Sequence, residues 1–103
     1  RFDFLILSLN QLVNHLDKIE EMSLGKLNAK VIIRTSIGAK KPLNGGPQHT
    51  QDHTIALKKM LQNIEVIKLK NTKQIFKAYK KAINRKDNKS TLLVEYGDYY
   101  NKS

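Results

Sequence analysis

The sequence predicts an α/β fold in three layers, with a mostly parallel sheet and the order helix–strand–helix–strand–helix–strand. Three short runs rich in β-branched and apolar residues, at 31–35, 64–69 and 91–96, carry the strand pattern. Each run follows a stretch in which apolar residues recur at helical spacing. Because short turns connect the alternating helices and strands, the crossovers are expected to place helices on the faces of the sheet.

The first predicted helix covers residues 9–24, where Leu9, Leu12 and Leu16 lie on one helical face. Gly25 follows this run and is typical of a residue that ends a helix. The preceding residues 2–7 are short and mostly apolar, so we interpret them as a short strand or a loop that leads into the helix.

Two further helices follow the first and second predicted strands. Thr50 or Asp52 is expected to cap a helix that carries apolar residues between positions 55 and 61. Thr72 is expected to cap a third helix over residues 73–84. A polar turn at residues 87–89 then leads into the last strand.

The composition limits what kind of protein this is. The chain has 103 residues and a formal net charge of +10, which fits one small domain. It has no cysteine, so disulfides, a thiolate nucleophile and cysteine-type zinc sites are excluded, and nothing contradicts a cytoplasmic location. No apolar run reaches the roughly 20 residues of a membrane span. The chain begins with Arg1, so we expect a piece of a longer protein, with further sheet strands upstream.

The basic residues concentrate in the second half of the chain. Residues 54–103 carry 12 basic and 4 acidic side chains, and most of the basic ones lie between Lys73 and Lys89. Charge runs of this kind on a helix are usually solvent-facing. An interaction with an anionic polymer stays open as the alternative interpretation. Tyr96, Tyr99 and Tyr100 are interpreted as packing at an edge or interface rather than as binding a base.

The long loop at residues 38–50 is the main candidate site, because it follows a strand at the end of a parallel sheet where ligands bind. His49 is expected at a helix N-terminus, where an anion is favoured and the imidazole pKa is lowered, so that it can move a proton. A loop histidine bonded to a carbonyl is the alternative. His49 and His53 could share a metal, but Asp52 is a poor third ligand and we predict no metal site. His15 is interpreted as structural or exposed.

Four motifs resemble one family over nearly the whole chain. They are Phe2-Asp3-Phe4, the strand 31–35 that contains Arg34, the run Gly-Pro-Gln-His-Thr-Gln at 46–51, and the strand 92–95 that ends in Glu95. Together they resemble the pyrimidine-binding domain of transketolase-like thiamine diphosphate enzymes. The likeness is greatest to the beta subunit of the decarboxylase component of 2-oxo acid dehydrogenases.

The resemblance implies a chemistry and a site. His49 matches the family's active-site histidine, and Phe4, or less well Phe2, would stack on the aminopyrimidine of thiamine diphosphate. Magnesium would be bound mainly by a partner diphosphate-binding domain or alpha-type subunit, in a homo- or hetero-oligomer. The glutamate that activates the cofactor lies before Arg1 in the family, and Glu95 is no substitute for it. The fragment alone is therefore not expected to be active.

The resemblance implies an oxidoreductase or transferase that acts on a 2-oxo acid or ketol substrate, and two departures from the sugar transketolases favour the oxo-acid branch over ketose transfer. Gly45 stands where those enzymes have an aspartate that binds a substrate hydroxyl, and Gln48 replaces a threonine. The cations Lys40 and Lys41 could attract an anionic substrate or simply be solvated. This hypothesis requires no nucleic acid and no membrane as a partner. The alternatives are a noncatalytic basic α/β module and a degenerate subunit kept for assembly.

Overall fold

The sheet has three parallel strands, and the helices pack on both of its faces. In this computed structural model, which describes residues 1–99, β1 (Ile32–Ile37), β2 (Glu65–Lys68) and β3 (Thr91–Tyr96) are arranged in the order β1–β3–β2. The predicted three-layer α/β class is confirmed. The prediction for Tyr100 lies outside the described residues.

The first helical region begins earlier than predicted. The N-terminal helical segment (residues 2–22) comprises α1 (Phe2–Leu5), a 3₁₀ turn (Ile6–Ser8), a π-helical stretch (Asn10–His15), a second 3₁₀ turn (Leu16–Lys18) and α2 (Ile19–Met22). The expectation of a strand or loop at residues 2–7 was therefore wrong. Phe2 and Leu12 of this segment are buried, and Leu5 and Leu9 lie between them at helical spacing. The apolar face of the helical segment therefore extends to the start of the chain. The segment ends at Met22, and Gly25 follows with φ +78°.

The other helices are α3 (Thr54–Met60) and α4 (Thr72–Ile83), and a 3₁₀ turn (Gly97–Tyr99) follows β3. The cap of α4 is Asn71, whose side chain accepts a hydrogen bond from the Gln74 backbone N–H at 3.1 Å. Thr72 is the first helical residue and not the cap, since Asn71 has the extended backbone that a capping residue requires. Before α3, the Asp52 carboxylate accepts from the Thr54 backbone N–H at 3.0 Å.

The central strand β3 divides the core into two layers. Leu92 and Val94 point into the larger cluster, formed with the N-terminal helical segment and α3. Leu93 points to the opposite face, where it packs against α4 through Ala78. This alternation buries β3 on both sides, as expected for the middle strand of a parallel sheet. No helix within residues 1–99 is long and apolar enough to span a lipid bilayer.

A buried carboxylate holds the N-terminal helical segment to the sheet. Asp17 is 2% exposed, and its two oxygens accept hydrogen bonds from the backbone N–H groups of Gln62, Asn63 and Ile64 at 2.8–3.2 Å. The Lys18 ammonium donates to the same carboxylate at 2.6 Å. Burial by itself raises the pKa of Asp17, but these hydrogen bonds outweigh it and hold the pKa below 3.8. The carboxylate therefore remains ionised inside the fold.

Replacing this carboxylate should destabilise the protein. In Asp17→Asn the side-chain amide has only one acceptor oxygen for three backbone N–H groups, so we expect a loss of about 3 kcal/mol in the free energy of unfolding. Urea denaturation measures the change. Glu20→Gln, on an exposed position of the same segment, is the matched control and should change stability by less than about 0.5 kcal/mol.

The pH dependence gives a second check of the same interaction. The pKa of Asp17 is lower in the folded state than in the unfolded state. The contribution of this carboxylate to the free energy of unfolding is therefore complete above about pH 4 and is lost as the pH falls through the folded-state pKa. The stabilities of the native protein and Asp17→Asn should therefore converge in acid. A constant difference between them down to about pH 2 would contradict this role.

Candidate functional site

The loop that follows β1 returns to the end of that strand and places His49 there. The Gly38 backbone N–H donates to the His49 carbonyl at 2.9 Å. A Cβ atom at position 38 would lie 2.0 Å from that carbonyl oxygen, so only glycine allows the two backbones to approach this closely. The His49 backbone N–H in turn donates to Gly46, and Thr50 donates its hydroxyl to the same carbonyl. These contacts fix the backbone that carries the imidazole.

His49 faces the first turn of the chain instead of a helix N-terminus. Its Nδ1 lies 2.7 Å from the Asp3 carboxylate, and its ring stacks on Phe4 with centroids 5.9 Å apart at an interplanar angle of 26°. The expectation that His49 would lie at a helix entry was wrong, because α3 begins only at Thr54. The Asp3 carboxylate supplies a negative charge beside the imidazole.

Asp3 is a site residue to which the sequence motif alone assigned no role. Its partial burial raises its pKa, but the hydrogen bond with His49, a backbone hydrogen bond and the nearby positive charges together outweigh this effect, and the pKa lies below 3.8. Oδ2 contacts the imidazole, whereas Oδ1 is buried and has no hydrogen-bond partner within residues 1–99. The signal in the sequence was an acidic residue between two aromatic ones. The contact between Asp3 and His49 that gives Asp3 its place in the site is formed only in the folded chain.

The two phenylalanines of the motif differ sharply in environment. Phe2 is 2% exposed, belongs to the larger core cluster and contacts the His53 ring edge-on, with centroids 5.5 Å apart. Phe4 is 57% exposed and lies beside His49. Of the two, only Phe4 offers an aromatic surface to a ligand at this end of the sheet.

A small apolar cavity lies beside this cluster, between the N-terminal helical segment and α3. Its volume is about 130 Å³, and its lining includes Phe2, Ile6, His53 and Met60. The Nε2 atom of His53 is buried without a hydrogen-bond partner in the described part of the chain. His49 and His53 have different neighbours, Asp3 and Phe2 respectively. Within residues 1–99 no three histidine, aspartate or glutamate side chains gather in a group that could hold a metal ion.

Other residues of the sequence motifs lie away from this cluster. Glu95 accepts two hydrogen bonds from the Arg34 guanidinium, at 3.0 and 3.1 Å, and one from the Tyr79 hydroxyl. Burial and the neighbouring Glu95 carboxylate raise the pKa of Tyr79 to about 12, so Tyr79 remains a hydrogen-bond donor. His15 is exposed on the N-terminal helical segment. None of these side chains joins Asp3 and His49.

The comparison with family models assigns the chain to a family. Residues 2–101 match the model described as transketolase, pyrimidine binding domain. The chain therefore belongs to the family of transketolase pyrimidine-binding domains, which is a family of thiamine diphosphate enzymes. No curated protein matches the chain, and no solved structure matches it.

The residues at the end of the sheet fit one part of thiamine diphosphate. An aminopyrimidine ring has flat faces that stack on aromatic side chains and amino and ring nitrogens that hydrogen-bond at its edge. Phe4 supplies an exposed aromatic face, and Asp3 Oδ1 is a buried acceptor without a partner in residues 1–99. The chain therefore offers a surface of the right chemistry for the pyrimidine, but no acidic cluster for magnesium among its described residues.

The loop geometry should depend on glycine at position 38. In Gly38→Ala the added methyl group cannot fit 2.0 Å from the His49 carbonyl, so the loop must separate from β1 and carry the imidazole away from Asp3. We expect the loss of the His49–Asp3 contact, seen as changes in the NMR signals of the His49 ring, with about 1–3 kcal/mol of destabilisation.

Gly45→Ala is the matched control for this prediction. Its Cβ would lie 3.2 Å from the His49 Cβ atom, so His49 would need to move by only a few tenths of an ångström. Unchanged His49 signals in Gly38→Ala, or equal changes in both variants, would show that the close approach at Gly38 does not position the imidazole.

Proposed function

We propose that this chain is the pyrimidine-binding part of a thiamine diphosphate-dependent enzyme that acts on a 2-oxo acid or ketol substrate, as the beta subunit of a 2-oxo acid dehydrogenase decarboxylase does. The observation that supports this proposal best is the cluster of Asp3, Phe4 and His49 at the carboxyl end of the sheet. It joins the first and third motifs of the family resemblance, and Phe4 and His49 are 45 residues apart along the chain.

In this proposal each member of the cluster has a separate task. When bound, thiamine diphosphate supplies a carbon nucleophile and an electron sink for the keto carbon. Phe4 stacks on the pyrimidine, and Asp3 is a positioning residue that holds the His49 ring through Nδ1. That contact leaves Nε2 of His49 as the nitrogen that can give a proton to, or take one from, the substrate oxygen. The oxidoreductase and transferase branches of the family both need such a proton transfer.

Positive charge near the loop suits a substrate that carries a carboxylate. The Arg1 guanidinium lies beside Gly45 in the loop of the candidate site. Lys40 and Lys41 follow β1, where their backbone N–H groups donate to the Asp98 carboxylate at 2.7 and 3.0 Å. Their ammonium groups make no ion pair within residues 1–99. These three cations support a 2-oxo acid over a neutral ketol, since long-range attraction favours an anionic ligand.

An exposed apolar surface beside the cluster suits a partner domain. Phe4 and Leu7 project from the first turns of the chain, and Ile55 and Met60 from α3, all of them more than two fifths exposed. Ile6 and Met60 both line the small cavity, so the two helical regions form one face. Contiguous apolar surface of this kind marks interaction sites. We propose that the diphosphate-binding domain or alpha-type subunit docks here and completes the cofactor site in an oligomer.

Replacing His49 should affect turnover much more than folding. His49→Ala in the complete enzyme, with its partner, should lower kcat for 2-oxo acid decarboxylation by about 10²–10⁴. Asp3→Asn should lower kcat by a smaller factor and change its pH profile, because the imidazole loses the charge that orients it. Assays with thiamine diphosphate, magnesium and an artificial electron acceptor measure both effects.

His15→Ala is the matched control, since it removes an exposed histidine that contacts neither Asp3 nor Phe4. Its kcat should stay within about twofold of the native value. If His49→Ala retains native kcat while Asp3→Asn also has no effect, the cluster is not the catalytic site.

Substitutions of Phe4 and Phe2 should affect different properties, cofactor affinity for Phe4 and the stability of the fold for Phe2. Phe4→Ala should weaken thiamine diphosphate about tenfold because a stacking surface is lost. Its stability should change by less than about 0.5 kcal/mol, since Phe4 is exposed. Phe2→Ala should instead destabilise the fold by about 3–5 kcal/mol, since it empties part of the core. Calorimetric titration of the complete enzyme and urea denaturation give the two quantities.

The ratio of the two effects decides between stacking and packing for Phe4. A Phe4→Ala variant that loses as much stability as Phe2→Ala would assign Phe4 to the core. A Phe4→Ala variant that binds thiamine diphosphate with native affinity would show that Phe4 does not stack on the pyrimidine.

A further inference from the structure

The outer side of α4 carries an apolar groove that the fold does not cover. Phe76 is 73% exposed and Ile83 is 59% exposed, although both belong to an otherwise amphipathic helix. They are seven residues apart and therefore lie on the same side of α4. With Tyr79 and Lys80 they line a groove of about 260 Å³. Large apolar side chains left exposed in a row are typical of an interaction surface.

A row of lysines without acidic partners borders this groove. Lys73, Lys77 and Lys80 follow each other at helical spacing, and within residues 1–99 none of them pairs with a carboxylate. The Lys80 Nζ atom lies 5.9 Å from the centroid of the Phe76 ring, so the cationic row lies directly beside the apolar groove. The neighbouring cations Lys81 and Arg85 are different, since both pair with Glu65.

The charge of the whole region is strongly one-sided. Residues 72–89 contain six lysines and one arginine but a single acidic residue, Asp87. Asp87 is engaged by Arg85 through two hydrogen bonds of 2.8 and 2.9 Å, which leave the lysine row of α4 uncompensated. Like charges held on one helix face repel one another, and an acidic partner relieves that repulsion.

We propose that this groove, with the lysine row Lys73, Lys77 and Lys80, binds an acidic amphipathic segment of a partner protein. The apolar side chains of such a segment would pack between Phe76 and Ile83, as in other grooves that accept a helix. Its carboxylates would face the lysine row, which supplies steering and orientation.

The surface suits an acidic peptide better than a nucleic acid. Nucleic-acid surfaces use arginine for bidentate phosphate contacts and several aromatic rings for base stacking. Here the guanidiniums of Arg34 and Arg85 are bound to carboxylates of the same chain. Of the two rings that line the groove, Phe76 is exposed and Tyr79 is half-buried. Ile83 offers no stacking face, whereas it suits an aliphatic side chain.

The α4 groove is separate from the candidate active site. α4 packs on the face of the sheet that Leu93 and Ala78 occupy, whereas the N-terminal helical segment, which carries Asp3, packs on the opposite face. Binding at α4 therefore does not require thiamine diphosphate, and the two proposals can fail independently.

The test uses three labelled probes and the full chain. The first probe is a peptide of about 15 residues with leucine at every third or fourth position and glutamate at the positions between the leucines. The second is the same peptide with glutamine in place of glutamate. The third is a single-stranded oligonucleotide of similar length. Fluorescence anisotropy at about 50 mM and about 500 mM salt measures binding. We expect the glutamate peptide to bind, at least about tenfold tighter than the glutamine peptide at low salt.

Two variants examine the two parts of the groove. Lys73→Gln combined with Lys80→Gln should weaken the glutamate peptide about tenfold, and Phe76→Ala should weaken it about fivefold at both salt concentrations. The matched controls, Lys26→Gln with Lys59→Gln and Leu43→Ala, remove equally exposed groups elsewhere and should leave affinity within about twofold. All substituted side chains are exposed, and circular dichroism verifies the fold of each variant.

Three results would overturn the proposal. The first is no binding of the glutamate peptide at the highest concentration reached at low salt. The second is an oligonucleotide that binds more tightly than the peptide and depends on the same lysines, which would identify a nucleic-acid surface. The third is an affinity for the glutamate peptide that Phe76→Ala does not change, which would show that the peptide binds only by nonspecific electrostatic attraction.

Discussion

The arrangement of this protein depends on one buried carboxylate. Asp17 receives three backbone N–H groups from residues 62–64, directly before β2, and so fixes the N-terminal helical segment to the sheet from one end. The other end of that segment carries Asp3 and Phe4. Because the segment packs along the core through Leu12 and Phe2, fixing Asp17 also fixes where Asp3 lies. A charged group in the interior is stable here because its hydrogen bonds come from the backbone itself.

The candidate site then results from two constraints that meet. The N-terminal helical segment brings Asp3 to the carboxyl end of the sheet, and the close contact of Gly38 with His49 brings the imidazole to the same place. Asp3 comes from the first turn of α1, whereas His49 comes from a loop, which is usual for sites built at the end of a parallel sheet. The exposed ring of Phe4 stacks on His49 and completes the cluster.

Much of the fold could be predicted from local patterns, since β-branched runs and helical spacing report burial directly. The N-terminal region could not, because its first residues are almost all apolar and an apolar run fits a strand or a helix equally well. The cap of α4 differed by one residue, since Asn71 and Thr72 both have capping side chains. The role of Asp3 could not be predicted at all, because it depends on a contact with His49, which is 46 residues away.

The two faces of the sheet divide the surface by chemistry. On the side of the N-terminal helical segment, exposed apolar side chains such as Leu7 and Ile55 lie beside the candidate active site. On the side of α4 a lysine row borders the groove at Phe76 and Ile83. An apolar surface suits a permanent partner, because its burial needs no compensation of charge. A charged surface with few apolar groups suits a partner that associates and dissociates. Since β3 separates the two faces, binding of the proposed acidic segment at α4 leaves the surface proposed for the partner domain uncovered.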